Sequence, residues 1–168
     1  GDSTGRSDLS VWVEDMTACA SVLKTATNRI WAAGQSTGGT MSLIAAATQA
    51  CFAGAVSLAP FCSLEQILRD NAEANSILES RFGPLQEKHH RAADALALTH
   101  GMKKPALLIH GTDDQTVPIA HGKQLAESIG ETATFFPVEG GDHHLRSVNR
   151  RLVIETILAW LDNQDRNS

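Results

Sequence analysis

Side chains that cooperate in acyl transfer, namely a serine, carboxylates and histidines, each follow an apolar run of this chain. Ser36 lies in the sequence GQSTG, directly after the apolar run 30–33. A G-x-S-x-G pattern between a strand and a helix is typical of a nucleophile elbow, a sharp turn that projects the serine hydroxyl above a sheet. We expect added side chains at Gly34 and Gly38 to collide where strand and helix approach. The same pattern would also suit a serine that only caps the helix.

A serine hydroxyl is a good nucleophile only beside an imidazole that takes its proton and a carboxylate that orients the imidazole. Candidate partners follow two further apolar runs: HGTDDQTVP comes after 105–109, and EGGDHH comes after 133–138. The carboxyl ends of parallel strands meet at one edge of a sheet, where open α/β sheets place their sites. We therefore expect all three groups to lie together at that edge.

Each candidate partner has a neighbour of its own type. Asp113 is next to Asp114, and His143 is next to His144, so spacing alone leaves both pairs open. His110 ends a predicted strand near the site and is expected to make local hydrogen bonds. The other histidines lack the carboxylate or cysteine spacing of a metal site, so neither a metal nor a cofactor is expected.

The apolar runs alternate with helical patterns. The predicted strands are 30–33, 53–59, 105–109 and 133–138, and the predicted helices are 9–25, 37–49, 119–129 and 145–161. This alternation favours an α/β fold with a mostly parallel sheet and helices on both faces. The last helix is expected to pack through a stripe formed by Leu145, Val148, Leu152, Leu158 and Leu161. Residues 1–8 are polar and predict a loop.

Residues 61–104 differ from the rest because they contain no convincing strand. Their apolar positions predict helices interrupted at Gly83 and Pro84. A helical insertion above the site predicts a small lid, and its content of Leu, Ile and Phe suits a modest apolar pocket. The alternative is an ordinary crossover helix with additional surface structure.

Composition limits the classes of partner. A chain of 168 residues with 42% apolar residues fits a single domain with its own core. A net charge of −5 without a basic cluster argues against nucleic acid, and no apolar run approaches the roughly 20 residues that span a bilayer. Cys19, Cys51 and Cys62 are expected to be unpaired thiols in a reducing compartment, so a cytoplasmic location is predicted.

Taken together, the three motifs resemble those of the α/β-hydrolase superfamily, of the serine esterase and serine peptidase type. Its members carry G-x-S-x-G, then H-G-x-x-D-x-x-V-P, then G-x-D-H or G-x-G-H, and this chain has all three in that order. The resemblance implies that Ser36 is the nucleophile, Asp114 the acid and His143 the base. It also implies that the backbone N–H of Thr37 donates to the oxyanion.

The resemblance covers nearly the whole chain but only the C-terminal part of the family's domain. The opening residues resemble the loop after the family's fourth strand, so we expect an N-terminally truncated domain, residues 1–168, that lacks the first strands. The family's second oxyanion donor comes from the loop after its third strand, so on this interpretation we expect residues 1–168 to lack that donor. The strand 30–33 would then be a bare apolar edge, a predicted site of aggregation or strand swapping. We expect either that the chain is part of a longer protein or that it completes its sheet by self-association through this edge.

The implied function is hydrolysis of carboxylic esters through an acyl-enzyme, with a small-molecule ester or acyl compound as substrate. The same triad would serve a peptidase or amidase, because the pocket decides between them. A catalytically silent binding module of the same fold is a further alternative, favoured by the missing strands. A thiol hydrolase is excluded, since position 36 is serine and not cysteine.

Overall fold

A computed structural model of the chain describes residues 7–146 and 150–166. Its centre is a parallel four-stranded sheet in the order β1-β2-β3-β4. The strands are β1 (Trp31–Gln35), β2 (Gly54–Leu58), β3 (Ala106–Gly111) and β4 (Ala133–Val138). A 3₁₀ turn (Leu9–Val11) precedes the helices α1 (Trp12–Leu23), α2 (Thr37–Thr48), α3 (Leu64–Asp70), α4 (Ala74–Phe82), α5 (Glu87–Ala92), α6 (Ala95–Leu98), α7 (Ile119–Ile129) and α8 (Arg150–Arg166). The predicted α/β class is confirmed.

Helices cover both faces of the sheet. On one face, strand residues such as Ala55 and Leu108 pack with α1, α2 and α7. On the other face, Leu107 and Ile109 pack with α8. Successive side chains of a strand point to opposite faces, so the apolar residues 106–109 of β3 fill both layers. All six residues of that strand are buried.

The stripe predicted for the last helix is wrong at Leu152 and Leu158, whereas Leu145 and Leu161 do pack in the core. α8 begins at Arg150, so Leu145 precedes it, and Val148 lies outside the described residues. Leu152 and Leu158 are 46% and 54% exposed. The helix has apolar residues on more than one face. The face that packs contains Trp160, whose ring meets the ring of Trp31 in β1 edge-on, with 5.2 Å between the ring centroids. The packing residues are Val153, Ile157, Trp160 and Leu161.

The segment 61–104, which we call the cap, is helical as predicted. It consists of α3 to α6, and the chain breaks between α4 and α5 at Gly83, where φ is +74°. The cap is tied to α2 by Thr40, whose hydroxyl donates to the Phe61 carbonyl (3.1 Å) and accepts from the Phe61 N–H (3.0 Å). A further tie runs from Asn71, whose Nδ2 donates to the Thr116 carbonyl at 2.9 Å.

The strand β1 lies at one edge of the sheet and pairs with β2. Its outer side meets a groove that includes Trp12 and Met16 of α1. The apolar edge at 30–33 is thus present, and self-association through it stays a prediction. In the described ranges, no helix has both the length and the apolar content that crossing a membrane requires.

Candidate active site

Ser36 stands at the sharp turn between β1 and α2. Its backbone has φ 55° and ψ −124°, a region in which a non-glycine residue is strained and which is often found at functional sites. Ser36 occupies the N-cap position of α2, but its side chain makes no capping hydrogen bond. Ser36 lines a cavity instead. The capping interpretation therefore lacks the contact that defines it.

Two glycines of the elbow, Gly34 and Gly39, leave no space for a side chain. The sequence pattern predicts the first of them correctly and places the second at Gly38. A Cβ added at Gly34 would collide with the backbone carbonyl of Gly38. The collision expected at Gly38 is wrong, because a Cβ there would meet nothing within 4 Å. The second close approach is at Gly39, where a Cβ would lie 2.8 Å from the Ser57 hydroxyl and 2.9 Å from the Leu58 carbonyl.

We expect Gly34→Ala to lower the free energy of unfolding by about 1–3 kcal/mol, because the added methyl overpacks the contact between β1 and α2. Gly38→Ala is the matched control. It should leave the stability unchanged or raise it by up to about 1 kcal/mol, because alanine favours a helix over glycine. Urea unfolding followed by circular dichroism measures the free energy of unfolding of both variants. Equal losses of stability in the two would contradict the finding that an added Cβ collides at Gly34 and meets nothing at Gly38.

Asp114 and His143 meet at the carboxyl edge of the sheet. His143 Nδ1 lies 2.8 Å from Asp114 Oδ2, and the Asp114 side chain is fully buried. Asp114 Oδ1 accepts the backbone N–H groups of Thr116 (2.9 Å) and Val117 (2.8 Å). These bonds fix the carboxylate and leave its other oxygen to the imidazole. Asp113 is exposed, so the geometry pairs His143 with the second aspartate of the two.

A second histidine also contacts this carboxylate. His110 Nε2 lies 2.8 Å from the Val117 carbonyl and 3.3 Å from Asp114 Oδ2, which is the local bonding expected of it. Burial alone would raise the pKa of Asp114. Hydrogen bonds from His110, His143 and the Val117 N–H outweigh burial and hold that pKa well below its usual range. Asp114 is therefore negatively charged at neutral pH and can stabilise an imidazolium.

The loop that holds His143 is fastened to the loop that holds Asp114. The Gly141 carbonyl accepts the Asp113 N–H at 3.0 Å, and a Cβ added at Gly111 would collide with that carbonyl. Within the loop that holds His143, Asp142 Oδ1 accepts the backbone N–H of Arg146 at 2.7 Å. The close approach of two backbones is what brings Asp114 and His143 together.

Sequence reasoning missed Gln35. Its Nε2 donates to the His143 carbonyl at 2.7 Å, so the residue before the serine ties the elbow to the loop that carries His143. The G-x-S-x-G pattern leaves this position free and gives no signal for it. The neighbouring His144 is exposed, and its ring packs edge-on against that of His143 at 5.2 Å.

A cavity of about 350 Å³ opens over Ser36, within the range of about 300–1,000 Å³ that small-molecule sites occupy. Thr37 lines it and is the first residue of α2. The first N–H groups of a helix have no helical acceptor, and the helix dipole places partial positive charge there. His143 and His144 also line the cavity. The cap contributes Phe61, Ile67, Asn71, Ala74, Ile77, Leu78 and Arg81.

A parallel sheet with helices on both faces, a strand-to-helix elbow bearing serine, and an aspartate–histidine pair at the same edge define an α/β-hydrolase fold. Residues 5–167 match the model of the prolyl oligopeptidase family. The chain belongs to that family.

Individual relatives are similar over part of their length. Uncharacterized protein YqkD of Bacillus subtilis (strain 168) is 27% identical over an alignment of 168 positions, which covers 90% of this chain and 55% of that protein. A puromycin-hydrolyzing peptidase of Mycobacterium tuberculosis is 26% identical with a TM-score of 0.67, over 78% of this chain and 22% of the peptidase. Est1E from Butyrivibrio proteoclasticus shares the fold (TM-score 0.73, 20% identity, 95% of this chain and 72% of Est1E). The chain thus spans about half of YqkD and less than a quarter of the peptidase.

Proposed function

We propose that this chain hydrolyses carboxylic esters of small molecules through an acyl-enzyme formed on Ser36. One observation carries the proposal: Ser36 lines the same cavity as His143, whose Nδ1 is hydrogen-bonded to the buried carboxylate of Asp114. With Nδ1 engaged, Nε2 is the ring nitrogen that can take the serine proton. The motif order and the family both support this assignment of roles.

In the proposed reaction, Ser36 Oγ attacks the ester carbonyl carbon while His143 Nε2 takes the hydroxyl proton. The carbonyl oxygen becomes an oxyanion and accepts a hydrogen bond from the Thr37 N–H. The C–O bond to the alcohol then breaks, and the imidazolium protonates the departing oxygen. Water attacks the acyl-enzyme with His143 again as base, which releases the acid and restores the serine. The Asp114 carboxylate stabilises the imidazolium in both steps.

Amide or peptide hydrolysis is the second candidate, since the family's name and the similarity to a puromycin-hydrolyzing peptidase favour it. The same nucleophile and base serve both reactions, and only the leaving group differs. A cavity of about 350 Å³ beneath the cap favours a small ester over an extended peptide.

A pair of substrates with one acyl group tests the proposal: 4-nitrophenyl butyrate and its 4-nitroanilide counterpart. We expect release of nitrophenol from the ester and no measurable release of nitroaniline. Anilide turnover that disappears in Ser36→Ala would make amide hydrolysis the activity. If neither compound is hydrolysed and a fluorophosphonate leaves Ser36 unlabelled, the chain is a silent binding module and the proposal is wrong.

A further inference from the structure

Arg81 brings a positive charge to the wall of the cavity. It stands in the last turn of α4, is exposed, and lines the cavity together with Ser36 and His143. A guanidinium stays protonated at every pH at which the protein would be assayed. Its planar fork of N–H donors matches the two oxygens of a carboxylate. An arginine at this place can therefore bind an anionic group of a molecule that also reaches the serine.

No carboxylate in the described part of the chain forms an ion pair with this guanidinium. The described residues that line the cavity include no Asp and no Glu. Arg81 forms no ion pair with any residue in the described ranges, whereas four other arginines do: Arg29, Arg69, Arg91 and Arg151. An arginine near the end of a helix also interacts favourably with the helix dipole, but that role does not require a place on the cavity wall.

The other cap side chains on the wall are mainly apolar. Phe61, Ile67, Ile77 and Leu78 line the cavity, and such side chains bind hydrocarbon rather than charge. A molecule that suits this wall has a hydrocarbon portion for these residues and an anion for the arginine. The protein's net charge of −5 would repel an anion at long range, so a local cation is needed to hold one.

We propose that Arg81 is a specificity-determining residue that selects acidic esters, in which a hydrocarbon spacer separates the scissile carbonyl from a carboxylate. This inference rests on the proposed ester hydrolysis and names the substrate class of that site. Arg81 takes no part in proton transfer. It binds the remote carboxylate and so orients the carbonyl toward Ser36.

The test uses two esters of equal chain length, the 4-nitrophenyl monoester of adipic acid and 4-nitrophenyl hexanoate. In Arg81→Gln we expect kcat/KM for the adipate ester to fall about ten- to hundredfold, mainly through KM, because one charge-assisted interaction is lost. The hexanoate ester should change less than threefold. Arg81→Lys should keep part of the preference, because lysine retains the charge without the fork. Added salt should weaken the preference of the wild type.

Arg69→Gln is the matched control, since Arg69 lies in the last turn of the neighbouring helix α3 and pairs with Glu65. It should leave both esters unaffected. Equal losses on both esters in Arg81→Gln would assign the residue a merely structural role and overturn the inference. An absence of preference in the wild type, with hexanoate turnover that still depends on Ser36, would also overturn it while the proposed function stands. Hydrolysis of neither ester would contradict the proposed function and the inference together.

Discussion

Ser36→Ala is expected to lower kcat for 4-nitrophenyl butyrate by about 10⁶-fold, to the level set by binding and oxyanion stabilisation alone. The loss is this large because no acyl-enzyme can form without the hydroxyl, and the imidazole alone does not replace it. The side chain makes no capping hydrogen bond to α2, so its removal should cost little stability. Steady-state kinetics and a thermal unfolding curve of the same preparation measure both effects.

Ser42→Ala is the control for this loss. Ser42 lies in the same helix, and its hydroxyl donates to the Gly38 carbonyl at 2.7 Å. It removes an equivalent hydroxyl from a place outside the residues that line the cavity, so kcat should stay within a few-fold of the wild type. A rate in Ser36→Ala that is comparable with that of Ser42→Ala would rule out Ser36 as the nucleophile.

Asp114→Asn is expected to lower kcat by about 10⁴-fold, the effect of losing the carboxylate that fixes the histidine tautomer in a serine triad. The amide cannot stabilise the imidazolium. Its NH₂ group would also favour the tautomer with the proton on Nε2, which cannot then accept the serine proton. Asp113→Asn changes the exposed neighbour and should have little effect. A larger loss in Asp113→Asn than in Asp114→Asn would reverse the assignment.

The effect of Asp114→Asn on the free energy of unfolding should depend on pH. The pKa of Asp114 is lowered in the folded chain, so the ionised carboxylate contributes stability that is fully present above its unfolded pKa of about 3.9. That contribution is lost as the pH falls further, toward the lowered folded pKa. The unfolding free energies of wild type and Asp114→Asn should therefore converge as the pH falls below about 4. A difference that is independent of pH would contradict the role of the buried charge.

Much of this architecture is predictable because its signals are local. Short apolar runs alternating with helical patterns are sufficient for a parallel sheet with two covered faces, and turn residues mark where the strands end. Which of the two aspartates, Asp113 or Asp114, pairs with the histidine is not set by a local signal. Only the fold buries one carboxylate and exposes the other, and the motif of the family was needed to choose between them.

The errors arise where packing between distant segments decides. Gly38 is a glycine of the motif, but the backbone contact falls on Gly34 and Gly39, which depends on how α2 crosses the sheet. The predicted stripe of α8 is wrong at Leu152 and Leu158 because these leucines lie on a face that stays exposed, while the helix packs through the face of Trp160. Gln35 binds a carbonyl 108 positions away, and no local pattern reports such a contact.

The central claim is that Ser36 is an activated nucleophile, and its most direct test is covalent. The protein is treated with a fluorophosphonate, and the adduct is located by fragmentation of the tryptic peptide 30–69, which also contains other serines. We predict one adduct, on Ser36, that is absent in Ser36→Ala and strongly reduced in Asp114→Asn. No adduct, or an adduct on another serine that persists in Ser36→Ala, would contradict the account.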